Sequence, residues 1–248
     1  MLAELIIDIV KLALIVASFY LMLVVYVRCQ QPTWAKPMVK SRLIIIAILI
    51  LAASTAKLSE DVLGKESGVV DTAILLYIHH HMPSALIGFF EIVSFTGSYK
   101  VMLPLTLLAT TVLLWGRYRL DALLVAASVI SATVMVYVTK LLVGRERPVL
   151  WDVDQYWGSS FPSGHTLVVA AFAIALALCI GRIKPAAHSF ALSIAVLWII
   201  LVAISRMVLG VHWPTDVLVA ACLGGFLPLV ISVAIDLRQI HPSRRNGG

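Results

Sequence analysis

Residues 161–183 read FPSGHTLVVAAFAIALALCIGRI, a short polar head followed by an apolar run that closes on Arg182. The apolar part, Ser163 to Ile180, approaches the roughly 20 residues a helix needs to cross a hydrocarbon core. Its apolar residues are continuous, with neither the alternation of a half-buried strand nor the 3.6-residue stripe of a surface helix. Such a segment takes lipid as its solvent. The expected fold is all-α, a polytopic membrane helical bundle whose polar residues gather at the ends of the spans.

Six more runs of this kind flank it: Leu5–Val27, Met38–Ala56, Tyr99–Trp115, Ala122–Thr139, Phe190–Ile204 and Val217–Ile235. The composition agrees, with 61% hydrophobic and 13% charged residues and a mean hydropathy of +1.00, well outside soluble domains. The run at Met38–Ala56 is the weakest. Its apolar core begins at Leu43, so it must borrow the preceding turn, with Lys40 and Arg42 snorkelling to the interface. The first run carries Glu4 and Asp8 rather than a basic head and is long for a signal peptide, so it is read as a retained N-terminal helix, spanning or lying flat.

Between the second and third runs, Lys57–Ser98 is too polar and too broken by His79, His80, His81 and Pro83 to span, and interfacial helices are expected. Ser84–Phe95 has the length of a re-entrant or interfacial segment. Its Phe89 and Phe90 suit either a lipid entrance or a plain packing element. Three adjacent histidines cannot all face one ion from a helix, so no metal is assigned to them. Cys29, Cys179 and Cys222 lack the spacing of a disulfide framework or metal site and are read as free thiols.

Short-loop cations set the orientation. Arg28, Lys36, Lys40 and Arg42 follow the first run, Arg117 and Arg119 the third, Arg182 and Lys184 the fifth, while Arg238, Arg244 and Arg245 form the tail. Seven spans put all four groups on one face, the cytoplasmic one, where they set topology and meet anionic headgroups. His188 and His241 fall on that face too. The net charge of +6 contains no basic run interleaved with aromatics, so nucleic acid is not indicated. On the outer face lie cations that break the rule, Lys140, Arg145, Arg147 and Arg206, which ask for an anionic ligand.

The outer residues form three clusters: Lys140 with Arg147 and Pro148; Pro162, Ser163, Gly164 and His165; and Ser205, Arg206, His212 and Asp216. This order, K-x6-R-P, P-S-G-H and S-R-x5-H-x3-D, resembles the three-part signature of the type 2 phosphatidic acid phosphatase (PAP2) superfamily, in its membrane lipid phosphatase branch. All eleven specified positions are filled. The resemblance covers about Leu43 to Ile235, so the expected division is an N-terminal helix and loop over 1–37, a phosphatase core over 38–236 and a basic tail over 237–248.

The residue types carry the matching chemistry. Phosphoryl transfer needs fixed positive charge aimed at the equatorial oxygens, which Lys140, Arg147 and Arg206 supply. Lys140 and Arg147 are seven residues apart and share a face if the fourth span continues to Pro148. Ser163 reads as a helix cap and Gly164 as a close backbone approach at a helix N-terminus, where anions bind. His212 and Asp216, four apart, permit a carboxylate to hold one imidazole nitrogen while the other attacks phosphorus. On the residues alone the two histidines can exchange roles. The resemblance implies that His212 attacks, forming a phosphohistidine, and that His165 transfers protons.

Asp152 and Asp154 stand without further carboxylates at magnesium spacing, so metal-independent hydrolysis without a cofactor is expected. Arg145 and Glu146 are read as a solvated pair or headgroup contacts. The resemblance implies a lipid phosphate substrate within the bilayer, of the phosphatidic acid, phosphatidylglycerol phosphate or undecaprenyl pyrophosphate class. A bacterial plasma membrane with the site facing the periplasm or exterior is expected. A lipid phosphotransferase passing the phosphate to a lipid or sugar hydroxyl is the alternative.

Overall fold

The computed structural model describes residues 2–31, 34–151 and 158–240. Asp152, Asp154, His241, Arg244 and Arg245 lie outside them. Among the described residues ten α-helices follow one another: α1 (Leu2–Gln30), α2 (Ala35–Lys40), α3 (Arg42–Leu63), α4 (Gly68–His81), α5 (Ile87–Thr96), α6 (Tyr99–Trp115), α7 (Arg119–Val143), α8 (Gly164–Ile183), α9 (His188–Val208) and α10 (Pro214–Ile240). Among the described residues there is no strand. Six helices, α1, α3 and α7 to α10, are long and apolar enough to cross a membrane, and the chain is an integral multi-pass membrane protein.

Helix α8 is the axis of the bundle. It packs against α7, α9 and α10, and more than half of its apolar window is buried, whereas α1 and α3 bury none of theirs. Its buried Ala170, Ala171, Ala173, Ala175 and Ala177 explain the close approach. Without a hydrophobic drive between helices in lipid, small residues bring backbones together. One such place is Gly224 of α10, where an added Cβ would stand 2.5 Å from the Leu167 carbonyl oxygen and 2.6 Å from the Ala170 Cβ.

The second span differs from the expectation. A turn at Ser41 separates α2 from α3, and α3 continues past Ala56 to Leu63. Its polar end is carried by Lys57, which donates to Asp61 one turn on at 2.8 Å, and by Val62, packed with Phe161 and Val219. Helices α4 and α5 bend by 100° at their junction. Pro83 causes the break, since it lacks the N–H that would continue α4 and pulls the preceding residue toward extended backbone.

Both ends of this bent pair return to the same side of the bundle. Asp71 near the start of α4 bonds Thr215 at the start of α10, and Gly97 just beyond α5 abuts His165 at the start of α8. The pair is therefore re-entrant. Helix α6, 17 residues long, or about 25 Å, then runs to the far end, where Arg117 lines a cavity of about 450 Å³ with Arg182 and Asp236. There Arg182 donates to Asp236 at 2.8 Å, to Asp121 at 3.3 Å and to the Ser232 hydroxyl at 2.8 Å. Arg182 thus clamps α7, α8 and α10 together, a structural task beyond the topological one expected of it.

Candidate active site

The opposite end of the bundle gathers the three motif clusters. Helix α7 stops at Val143 because Gly144 takes a left-handed φ of 60°, which a glycine tolerates without a Cβ clash. The fourth span does not continue to Pro148, so Lys140 and Arg147 do not share one helical face. They meet by another route: the Lys140 ammonium and the Arg147 guanidinium both donate to the Ser159 carbonyl. Arg147 also donates to the Val211 carbonyl at 2.7 Å and to the Gly158 carbonyl at 3.1 Å. Its fork is anchored on the loop that leads into His212.

The start of α8 follows the cis Phe161–Pro162 bond. Ser163 is fully buried, and its hydroxyl lies 3.1 Å from that of Thr166 rather than capping a backbone N–H. Its own N–H donates to the Asp216 carbonyl at 3.2 Å, which joins the starts of α8 and α10. Gly164 faces Val136 of α7, 3.3 Å from where its Cβ would be. His165 packs on Gly97, whose Cβ would lie 3.2 Å from the His165 Cβ. Arg206 is buried and donates to the Ser94 hydroxyl of α5.

His212, only 2% exposed, sits in the loop between α9 and α10. Its Nδ1 is 3.7 Å from the nearer Asp216 carboxylate oxygen, too long for a hydrogen bond, and has no hydrogen-bond partner among the described residues. That oxygen, Oδ2, accepts the Trp213 N–H at 3.0 Å. Burial pushes the imidazole down to about 4, with Arg206 and Arg147 acting the same way and Asp216 opposing. His165 feels Arg206, His212, Arg147 and Lys140 together, so the five groups share one electrostatic neighbourhood.

Arg145 departs most from its reading as a solvated pair. Its side chain is 16% exposed and is held by Asp216 Oδ1 at 2.6 Å, Asp71 Oδ2 at 2.7 Å, the Thr215 hydroxyl at 2.8 Å and the Ser67 hydroxyl at 3.2 Å. The guanidinium also lies over the Trp213 ring, 5.6 Å from its centroid. Glu146 contributes its backbone carbonyl, which accepts from Ser160 and from the Trp213 indole. Sequence reasoning passed over Asp71, although a lone carboxylate among GVVDTAILLY had a signal of its own, since acids in apolar helices are costly and keep partners. Ser94 and Gly97 had none. At the rim, His79 stacks on Trp151 with centroids 4.1 Å apart, and His81 bonds the Tyr77 carbonyl within its own helix.

Such a bundle, with polar residues of three motifs gathered at one end, defines a class, the integral membrane phosphatases. Residues 121–239 match the profile of the PAP2 superfamily. That match takes in just under half of the chain and all three motif clusters, so the chain carries a PAP2-type phosphatase region. An undecaprenyl-diphosphatase of Sulfolobus acidocaldarius is 26% identical over 196 residues, 76% of this chain and 90% of that protein. Phosphatidylglycerophosphatase B of Escherichia coli K12 is 37% identical over 82 residues, covering 33% of this chain and 30% of its own length. Among solved structures, a transmembrane PAP2-type phosphatidylglycerolphosphate phosphatase from Bacillus subtilis superposes with a TM-score of 0.67 at 24% identity, over 79% of this chain and 96% of that one. The last likeness is one of fold.

Proposed function

We propose that this chain hydrolyses the terminal phosphate of a lipid phosphate or diphosphate through a phosphohistidine, at the non-cytoplasmic face of its membrane. The observation that carries the reading is the convergence of Lys140, Arg147 and Arg206 around two histidines from different helix ends, His212 buried and His165 half-buried. With Asp216 on the Nδ1 side of His212, the Nε2 lone pair is the one left to attack phosphorus. The bond from phosphorus to the leaving oxygen breaks as the P–N bond forms, and His165 delivers a proton to that oxygen. His165 then takes a proton from water, whose oxygen attacks phosphorus and breaks the P–N bond, returning His212 neutral with inorganic phosphate released.

The three cations, with the N–H of Gly164 at the helix start, hold the equatorial oxygens. They supply the charge neutralisation that a magnesium ion gives elsewhere, so turnover is metal-independent. The long gap between His212 and Asp216 closes on substrate, since such bonds tighten when the phosphate arrives. Polyprenyl diphosphates head the candidate substrates, because the relative aligned over most of its own length is named for one. Phosphatidylglycerol phosphate and phosphatidic acid follow.

The test uses purified protein, that lipid panel labelled in the terminal phosphate, and excess chelator. Wild type is expected to release phosphate and to yield an acid-labile labelled protein on rapid quenching. His212→Ala should give neither. His165→Ala should lose turnover of ordinary esters by about 10²- to 10⁴-fold, the usual worth of proton transfer, while still attacking an ester whose leaving group needs no proton. A labelled His212→Ala protein beside an unlabelled His165→Ala protein would exchange the two roles. Label appearing in an added lipid or sugar alcohol would make the enzyme a phosphotransferase.

A further inference from the structure

We propose that Asp71, acting through Arg145, is a positioning residue for the Asp216–His212 pair, which makes docking of the re-entrant helix α4 a condition of phosphoryl transfer. The inference rests on the reading of His212 as the nucleophile. Its basis is geometric. Asp216 is fully buried and has two carboxylate oxygens with separate tasks. Oδ1 is taken by Arg145 at 2.6 Å, and this fixes the carboxylate plane so that Oδ2 is presented to the Trp213 N–H and toward His212 Nδ1.

Arg145 holds this pose because its other arm is occupied. Nη2 bonds Asp71 at 2.7 Å, and Asp71, 1% exposed, is fixed in turn by the Thr215 N–H at 3.0 Å and the Thr215 hydroxyl at 2.6 Å. The Thr215 N–H is one of the donors that the start of α10 leaves without a partner within its own helix, so a carboxylate from α4 caps the helix carrying Asp216. A planar fork spanning two carboxylates is a task for arginine rather than lysine.

The charges serve the same end. Asp71, Arg145 and Asp216 together carry one net negative charge in a buried site. When His212 bonds to phosphorus its ring becomes cationic, between Arg206 of α9, Arg147 of the preceding loop and the neighbouring His165 of α8. The surplus negative charge lies on the Nδ1 side, where it compensates that cation as it develops. Without Asp71 the Arg145–Asp216 pair is neutral, and the compensation is lost although no atom touching the phosphate has changed.

The experiment is a mutant cycle on the full-length protein in detergent, with steady-state phosphate release, rapid-quench phosphoenzyme formation and thermal melting read on each variant. Asp71→Asn should lower kcat and the rate of phosphoenzyme formation by about 10- to 100-fold, the range seen for groups that orient an imidazole, with KM within about threefold. In an Asp216→Asn background the same change should add less than about twofold, because residues acting as a unit are non-additive. Arg145→Lys, a point charge that cannot bridge both carboxylates, should repeat the pattern and carries the test if Asp71→Asn does not fold. Wild-type kcat in Asp71→Asn, an effect confined to KM, or the full loss repeated in the Asp216→Asn background would each overturn the inference while leaving the phosphohistidine reading intact. A wild-type protein that forms no phosphoenzyme overturns both.

Discussion

As the proposed nucleophile, His212 has to be neutral to attack, and its surroundings favour that form. Burial, reinforced by Arg206 and Arg147, pushes its pKa from 6.5 to about 4. Between those values the unfolded chain binds a proton that the folded one excludes, so folding stability is fully present above about 6.5 and falls as pH drops toward 4. In that window the detergent-solubilised protein should lose on the order of 1 kcal/mol per pH unit from this group. His212→Asn should flatten that part of the melting-temperature curve. An unchanged slope in the variant would mean that His212 is not the residue excluding the proton. The acid limb of kcat/KM should likewise fall near pH 4 instead of near the ordinary imidazole value, provided the nucleophile is its source.

At the scale of the helices, close backbone approach is the main device. Gly224 faces the Leu167 carbonyl and the Ala170 Cβ, both fixed parts of α8, so Gly224→Ala cannot be absorbed by a flexible side chain. Its expected cost is about 1–3 kcal/mol by overpacking, larger than the roughly 1 kcal/mol gained from replacing glycine in a helix, and a drop in thermal midpoint is the check. Much of this level was legible beforehand. Apolar runs located the helices because hydrocarbon demands length and continuity, and the three motifs fell at one end because polar side chains cannot stay elsewhere. What could not be read were pairings between distant residues. Nothing local to Arg145 announces a carboxylate 74 positions earlier, and a loop cation flanked by Glu146 and Arg147 looks solvated. Whether α7 continues to Pro148 stayed open as well, because an apolar period does not register a single left-handed residue such as Gly144.

For the whole molecule the orientation is the open quantity, and the bundle turns it into a two-point test. Val149 is 87% exposed beside the candidate site, and Arg119 is exposed at the opposite end. In a Cys29→Ser background, removing the exposed native thiol, a cysteine at Val149 should react with an impermeant reagent added to intact cells. One at Arg119 should react only after permeabilisation. The reverse pattern would turn the site toward the cytoplasm. The re-entrant pair α4–α5 is what makes the count consistent: it begins and ends on the candidate-site side, so α6 starts there and its 17 residues suffice to bring Arg117 and Arg119 to the other.

The two arginine clamps have a common design, each holding a pair of aspartates, and both seize α10: Arg145 grips Asp216 near its start, and Arg182 grips Asp236 near its end. Twenty residues of helix separate those aspartates, about 30 Å of rise, which is the thickness of an ordinary hydrocarbon core. The helix therefore works as a caliper, its jaws closed on ionic bonds that belong at the two borders between oil and water. The jaw on the candidate-site side is the same guanidinium that holds the carboxylate beside His212.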